Sequence, residues 1–236
     1  MNTAFVANGR TVAGARGWNW IADAWGFFRR QPGIWIGITV IAAVIFIVLA
    51  FIPLLGMLAT FVLTPVFVGG IVIGCRTMEQ GGSLELGHLF AGFRTRSGVL
   101  VTLGLLYLAA SFLIMLVAFA VSGAGMFAMF RGGSDVMASL TSLLLAVLIM
   151  LALWIPVLMA MWFAPPLALF HELGAVDALK ASFTGCLKNI VPFLFYSVIL
   201  FLLGIVASIP FGLGWLVLGP VTAASVYTAY RDIFFS

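Results

Sequence analysis

Residues 32–75 read PGIWIGITVIAAVIFIVLAFIPLLGMLATFVLTPVFVGGIVIGC, with no charged side chain from Gln31 to Cys75. A helix needs roughly 20 apolar residues, at 1.5 Å each, to cross about 30 Å of hydrocarbon. This run is therefore long enough for two crossings, and Ile52-Pro53-Leu54-Leu55 near its middle supplies a turn between them. Three more uncharged runs follow, Ser97 to Phe130, Val136 to Phe170 and Asn189 to Tyr230. By length, the first two hold one crossing each and the last holds two.

The whole chain agrees with that reading. It is 64% hydrophobic and 8% charged, with a mean hydropathy of +1.25, where soluble domains are about half apolar and a quarter charged. An outer-membrane barrel would show apolar and polar residues alternating in segments of about ten; Val40 to Ile52 and Leu143 to Pro156 show none. The expected fold is all-α, a polytopic transmembrane helical bundle with six crossings at 34–52, 56–75, 99–121, 140–164, 191–209 and 212–230. One integral membrane domain then covers 1–236. It comprises a lead-in (1–33), a first hairpin (34–75), a loop (76–98), a middle hairpin (99–164), a loop (165–190), a last hairpin (191–230) and a tail (231–236). Met1 to Arg30 lacks the basic, apolar, small-residue order of a signal peptide, so the first crossing is expected to be retained.

Basic residues sort by side. Arg10, Arg16, Arg29, Arg30, Arg76, Arg94, Arg96, Lys180, Lys188 and Arg231 fall on the side of the termini, and Arg131 alone falls opposite. The positive-inside rule then places both termini in the cytoplasm (N-in/C-in), which makes the chain a multi-pass protein of the bacterial inner membrane. The net charge of +4 is a topology and lipid-headgroup feature, with membrane lipid as partner and no nucleic acid required. The outer connection at 122–139, with Met126, Phe127, Met129 and Phe130, reads as a flexible Gly-rich loop.

Three segments on the cytoplasmic side have helical amphipathic spacing and read as interfacial helices. In RGWNWIADAWGFFRR, Trp18, Ile21, Trp25 and Phe28 share a face, and Trp18, Trp25, Arg29 and Arg30 are the expected interfacial anchors. In SLELGHLFAGF, Ser83 is the expected N-cap, and Leu86, Leu89, Phe90 and Phe93 form the stripe. In AVDALKASFTGCLKN, Val176, Leu179, Phe183 and Leu187 oppose Asp177, Lys180, Thr184 and Lys188.

The first and last hairpins look related, a parallel internal repeat about an axis along the membrane normal. Ile52-Pro53 matches Ile209-Pro210, VLTPV (62–66) matches VLGPV (217–221), and Pro65 and Pro220 each precede an arginine by 11 residues. Relative to the prolines, Gly70-x-x-x-Gly74 coincides with Ser225-x-x-x-Ala229, a small-residue face for close helix packing. Eleven residues span about 16 Å, which puts both prolines near the bilayer midplane. Each frees a carbonyl, at Phe61 and Leu216, and Thr60 and Thr64 stand near the first. Thr60, Thr64, Pro65, Pro220 and Thr222 are thus a candidate midplane site or kink, with a packing kink the favoured reading.

No Asp, Glu, Lys, Arg or His falls within an expected crossing, which argues against ion-coupled transport. Glu79, Glu85, Glu172 and Asp177 are scattered, His88 and His171 lie in different loops, and Cys75 and Cys186 are expected to stay reduced. No catalytic residue, metal ligand or cofactor is therefore expected.

The segment FAPPLALFHELGAVDALKASFTGCLKNIVPFLFY (163–196) has a proline-ended helix, an A-x-x-A-L-K-x-S stretch, then Lys-Asn and a proline opening the next helix. Together with AWGFFRRQPGIW (24–35) it resembles the YciC-like family of proteobacterial inner-membrane proteins. More distantly, it resembles the membrane domain attached to some glycerophosphodiester phosphodiesterases. The resemblance implies a six-helix membrane domain without the phosphodiesterase catalytic domain. The expected function is non-enzymatic: a scaffold, assembly or envelope-homeostasis protein that partners another membrane subunit or itself. Its expected contact surfaces are the amphipathic segments and the two small-residue faces. A transporter or channel for a small neutral or lipid-like solute is the alternative.

Overall fold

The computed structural model describes residues 4–130 and 136–236, with the side chains of 124–130, 136, 138 and 139 left aside. The named elements among the described residues are all helical. In chain order they form α1 (Arg16–Arg30), α2 (Pro32–Ala50), α3 (Leu55–Glu79), a 3-10 turn (Leu86–Phe93), α4 (Ser97–Phe130), α5 (Val136–Trp162), α6 (Ala164–Phe170), α7 (Ala175–Lys188), α8 (Ile190–Ser208) and α9 (Trp215–Phe234). A single bridge, Phe5 to Phe235, is the only extended pairing among them.

Five segments are long and apolar enough to cross a membrane: Pro32–Ala50, Leu55–Glu79, Ser97–Gly123, Leu140–Phe170 and Ile190–Ser208. Only 11% of the first and 6% of the fourth is buried in the protein. Side chains such as Ile47 and Val48 on α2 and Leu144 and Leu148 on α5 are therefore exposed, an apolar surface far beyond what water tolerates. The chain has the build of a multi-pass membrane protein.

The 20-residue α9, expected as a sixth crossing, is not among those five. Its hydropathy is lowered by Arg231, Asp232 and a row of hydroxyl side chains, and it occupies the middle of the bundle. Val221, Ala224, Ser225, Thr228, Ala229 and Ile233 are all buried, against α1, α2, α3 and α8.

The two short turns share a device. Leu54 (φ 60°), after Pro53, and Phe211 (φ 52°), after Pro210, are both left-handed. The next helix then starts on a glycine pressed against the previous one. A Cβ at Gly56 would lie 1.7 Å from the Leu49 oxygen, and one at Gly214 would lie 2.5 Å from Ala207 Cα. By contrast, the expected loop at 122–139 is largely helical: α4 continues to Phe130 and α5 begins at Val136, because Ala, Met and Phe around the glycines sustain a helix. Arg131 and the side chains of Met126, Phe127, Met129 and Phe130 lie outside the described residues.

Each amphipathic segment is an ordered element, but none lies on the membrane by its large apolar stripe alone. In α1, Gly17, Trp20, Ile21, Ala24 and Phe28 are buried while Trp18 and Trp25 face outward. In α7 the buried face is Ala178, Ala181, Ser182, Gly185 and Cys186, while Val176 and Leu187 are exposed. The SLELGHLFAGF segment is a 3-10 turn rather than an α-helix, and Glu85 caps it in place of Ser83. Leu84 and Leu89 are buried, and Leu86, Phe90 and Phe93 are exposed.

The return helix of the middle hairpin breaks at Phe163, because Pro165 and Pro166 bring no amide donors to the turn that follows. The break is bridged from α7. Ser182 Oγ accepts the Phe163 N–H at 2.9 Å and donates to the Met159 carbonyl at 2.7 Å. Ser182 is fully buried, so its loss strands a donor and an acceptor in an apolar setting. Ser182→Ala should cost about 2 kcal/mol of stability, read as a lowered Tm of the detergent-purified protein.

Candidate functional site

Two cavities bear on function, one polar and one apolar. The polar cavity, about 380 Å³, lies at the end of the bundle where both termini meet, and Arg10, Arg16, Glu79, Tyr227, Arg231 and Asp232 line it. It is organised by the carboxylate of Asp232, whose side chain is only 5% exposed. Arg10 Nη2 donates to Oδ1 at 3.2 Å, and Arg16 Nε and Trp20 Nε1 donate to Oδ2 at 2.7 and 2.8 Å. The hydrogen bond to Asp232 raises the Arg16 pKa above its ordinary value.

The N-terminal segment is stitched in by its backbone. Val6 N–H donates to Phe234 O at 2.9 Å and Arg10 N–H to Ile233 O at 2.8 Å. Fully buried Asn189 closes the other side, accepting the Val12 N–H at 2.9 Å and donating to Arg10 O and Gly185 O, each at 2.8 Å. Lys188 Nζ donates to Gly9 O at 3.1 Å. Ser182, Lys188 and Asn189 thus each hold backbone in place.

A second carboxylate ties α3 to α9, and the carbonyl beside it ties α3 to α1. Glu79 accepts the Tyr227 hydroxyl and, at 3.1 Å, Arg231 Nε; one residue earlier, the Met78 carbonyl accepts Arg30 Nη1 at 3.2 Å. Beside this pair His171 is half-buried, stacked on Phe5 at 3.4 Å between ring centroids, with its Nε2 2.6 Å from the Tyr230 hydroxyl. Burial, and then the charge of Arg76, lower its pKa to about 4. His171 is therefore a neutral packing partner, and the solvated loop histidine expected from sequence is not what forms. His88 is half-buried and caps the 3-10 turn by accepting the Glu85 N–H at 3.0 Å.

The apolar cavity, about 220 Å³, is lined by Thr64, Pro65, Tyr107, Trp162, Pro165 and Val226 among others. It holds one half of the expected midplane site. Thr60, Pro220 and Thr222 do not line it; Pro220 is buried within α9. Nor do the threonines reach the freed carbonyls. Thr60, Thr64 and Thr222 each donate to the carbonyl four residues back, Gly56, Thr60 and Leu218, at 2.7 to 2.8 Å. Along α9, Val226 borders the apolar cavity and Tyr227 the polar one, and Tyr227 is fixed by Glu79.

The small-residue faces are both covered within the chain. Gly70 and Gly74 receive the 3-10 segment: a Cβ at Gly70 would lie 2.4 Å from the His88 oxygen, and one at Gly74 would lie 2.5 Å from Leu84 Cδ1. Ser225 and Ala229 are buried, and Ser225 Oγ pairs with the Tyr196 hydroxyl of α8 at 2.6 Å. These two faces are therefore internal, while the amphipathic segments keep exposed side chains such as Trp18, Phe90 and Val176. The four anchors, Trp18, Trp25, Arg29 and Arg30, are all exposed, and Arg30 also donates to the Met78 carbonyl.

Cys75 and Cys186 are buried and unpaired, and burial pushes the Cys186 thiol up to about 12. No cluster of three metal-ligating side chains exists among the described residues. The role of Asp232 and the docking of residues 4–12 escaped the sequence reading. The signal available was an acidic residue beside Arg231 in the last turn of a helix, where the helix dipole disfavours an anion. No family model matches the chain, and neither a curated protein nor a solved structure does.

Two outcomes follow from this geometry. Asp232→Ala should cost about 2 kcal/mol, below the range for a fully enclosed pair, because Arg10 and Arg16 are 46% and 41% exposed and can rehydrate. It should also release residues 4–12, read as faster proteolysis of that segment. Because the folded His171 resists protonation, its contribution is complete above its ordinary pKa of 6.5 and fades as pH falls toward about 4. Tm should decline over that window, and His171→Asn should flatten the decline.

Proposed function

We propose that this chain is a non-enzymatic scaffold or assembly component of the bacterial inner membrane. It has six crossings with α9 as the last, and both termini are cytoplasmic. The observation that carries this reading is the use made of its polar groups. Asp232, Glu79, Arg10, Arg16, Arg231 and Asn189 spend their hydrogen bonds on one another and on backbone, fastening the termini, α1, α3 and α9 together. Such groups hold a shape; they are not poised toward a substrate. The placement of Arg10, Arg16, Arg30 and Arg231 at one end of the bundle supports the cytoplasmic orientation of that end. The left-handed residues after Pro53 and Pro210, each followed by a glycine pressed on the preceding helix, support a repeat of the first and last hairpins.

The surface offered to another subunit, or to a second copy, is the α4–α5 hairpin, since α5 is the least covered of the spans. The apolar cavity at Thr64 and Pro65 favours a second reading, passage of a small neutral solute. Thr64→Cys, with Cys75 and Cys186 replaced by Ala, separates the two. On the scaffold reading the new thiol resists a water-soluble reagent from both sides of the membrane, and the protein purifies with itself or a second membrane subunit. Labelling of the thiol in a protein that is monomeric and free of partners would overturn the proposal in favour of transport.

A further inference from the structure

Along α1, positions 18, 22, 25 and 29 recur at intervals of four, three and four residues and so share one helical face. All four are exposed: Trp18 (55%), Ala22, Trp25 (43%) and Arg29. Trp18, Ala22 and Trp25 form the base of an apolar groove of about 600 Å³ whose walls come from α8 and α9, including Val206, Val217, Leu218 and Val221. The groove extends along the hairpin as far as Pro210 and Gly214. From Val221 to Gly214 alone this is about 11 Å of helix.

The charge at the groove's base is positive. Arg29 continues the stripe one turn beyond Trp25 and makes no hydrogen bond, ion pair or ring contact among the described residues. With Gly26 and Arg30 it borders a notch of about 330 Å³. A Cβ on Gly26 would meet nothing within 4 Å, so the notch is open beside the helix backbone. The acidic side chain of α1, Asp23, instead lines the polar cavity.

We propose that this groove and notch bind one anionic phospholipid. An acyl chain lies between α8 and α9, the indoles of Trp18 and Trp25 sit at the level of the glycerol, and Arg29 holds the phosphate. An apolar channel along membrane helices is filled by acyl chain, and paired tryptophans with a free guanidinium at its mouth match the headgroup layer. A protein helix would leave Arg29 uncompensated unless it brought its own anion. The site rests on the membrane embedding of α8 and α9 and is otherwise independent of the scaffold role.

The test uses the full chain, purified in detergent and exposed to phosphatidylglycerol or phosphatidylcholine, with native mass spectrometry to count retained lipid. Tryptophan quenching by brominated-acyl forms of both lipids is measured on the same samples. The expected result is one retained phosphatidylglycerol, preferred over phosphatidylcholine and not displaced by excess inorganic phosphate. Arg29→Gln should reduce the preference about fivefold, as expected for one cation at a lipid surface. Arg94→Gln, an exposed arginine elsewhere, should leave it unchanged. Val206→Phe, which fills the groove from an exposed position, should reduce retention and quenching together. Equal retention of the two lipids, displacement by phosphate, or a Val206→Phe-sensitive dimer in place of bound lipid would overturn the site while leaving membrane embedding intact. Absence of quenching by either brominated lipid would overturn the embedding and the site together.

Discussion

The carboxylate of Asp232 is the point on which the terminal end of the bundle depends. It lies in the last turn of α9, where the helix dipole presents its negative end, and its side chain is almost wholly buried. Alone, such a group would cost several kcal/mol. Arg16 has the opposite problem, a cation in the first turn of α1, where the dipole is positive. Bringing the C-terminus of α9 to the N-terminus of α1 relieves both, and Trp20 and Arg10 complete the carboxylate's partners. The same contact makes residues 4–12 part of the fold: once Arg10 is drawn to Asp232, Asn189 and the backbone of Ile233 and Phe234 can take up the segment's amides and carbonyls.

Around this clasp several helices approach one another closely through small residues. Gly17 of α1 lies on the α8 backbone, where a Cβ would stand 2.3 Å from the Pro192 oxygen, and Gly104 of α4 lies on α3, 2.6 Å from Val62 Cα. Lipid solvates leucine as readily as another helix does, so close backbone approach is what distinguishes a protein contact from a lipid contact. The same preference explains the peripheral elements. In α7, Ala178, Ala181 and Gly185 face the bundle and Val176 and Leu187 face away.

The helical elements were legible because their signals are long. Uncharged runs identified the five apolar spans, Ile-Pro identified both tight turns, and 3.6-residue spacing marked α1 and α7. The orientation of α1 and α7 was not legible in the same way. Periodicity groups Trp18 with Ile21, but burial separates them, since a moment reports which residues share a face and not whether protein or lipid covers it. For the candidate midplane site, proline spacing yields only an expectation of matching heights for Pro65 and Pro220; what fills the space beside each depends on neighbours distant in sequence, Tyr107, Trp162 and Pro165 in the first case. His171 and Asp232 were illegible for the same reason: the groups that change their character, Phe5, Tyr230, Arg10 and Arg16, lie at the other end of the chain or on another helix.

The least apolar of the long helices, α9, is buried along most of its length. The hydroxyls of α9 are all bonded within the protein: Thr222 to Leu218, Ser225 to Tyr196 and Thr222, Thr228 to Trp20 and Ser225. A polar group whose partner is already in place costs little to bury, so α9 can carry Thr, Ser and Tyr through an apolar bundle and place Asp232, buried, at its end. Three of those five bonds stay within α9, and the other two reach Tyr196 of α8 and Trp20 of α1, which flank it. The position of α9 therefore follows from the satisfaction of its polar groups, and apolarity is left to α2, α5 and α8 at the periphery, where the surface is exposed. The Pro65 helix differs in this respect: Thr60 and Thr64 bond only to their own backbone, and a cavity borders Thr64 and Pro65, which Pro220 does not line. Two hairpins with the same Ile-Pro turn thus surround their prolines differently, because one return helix is central and the other borders the middle hairpin.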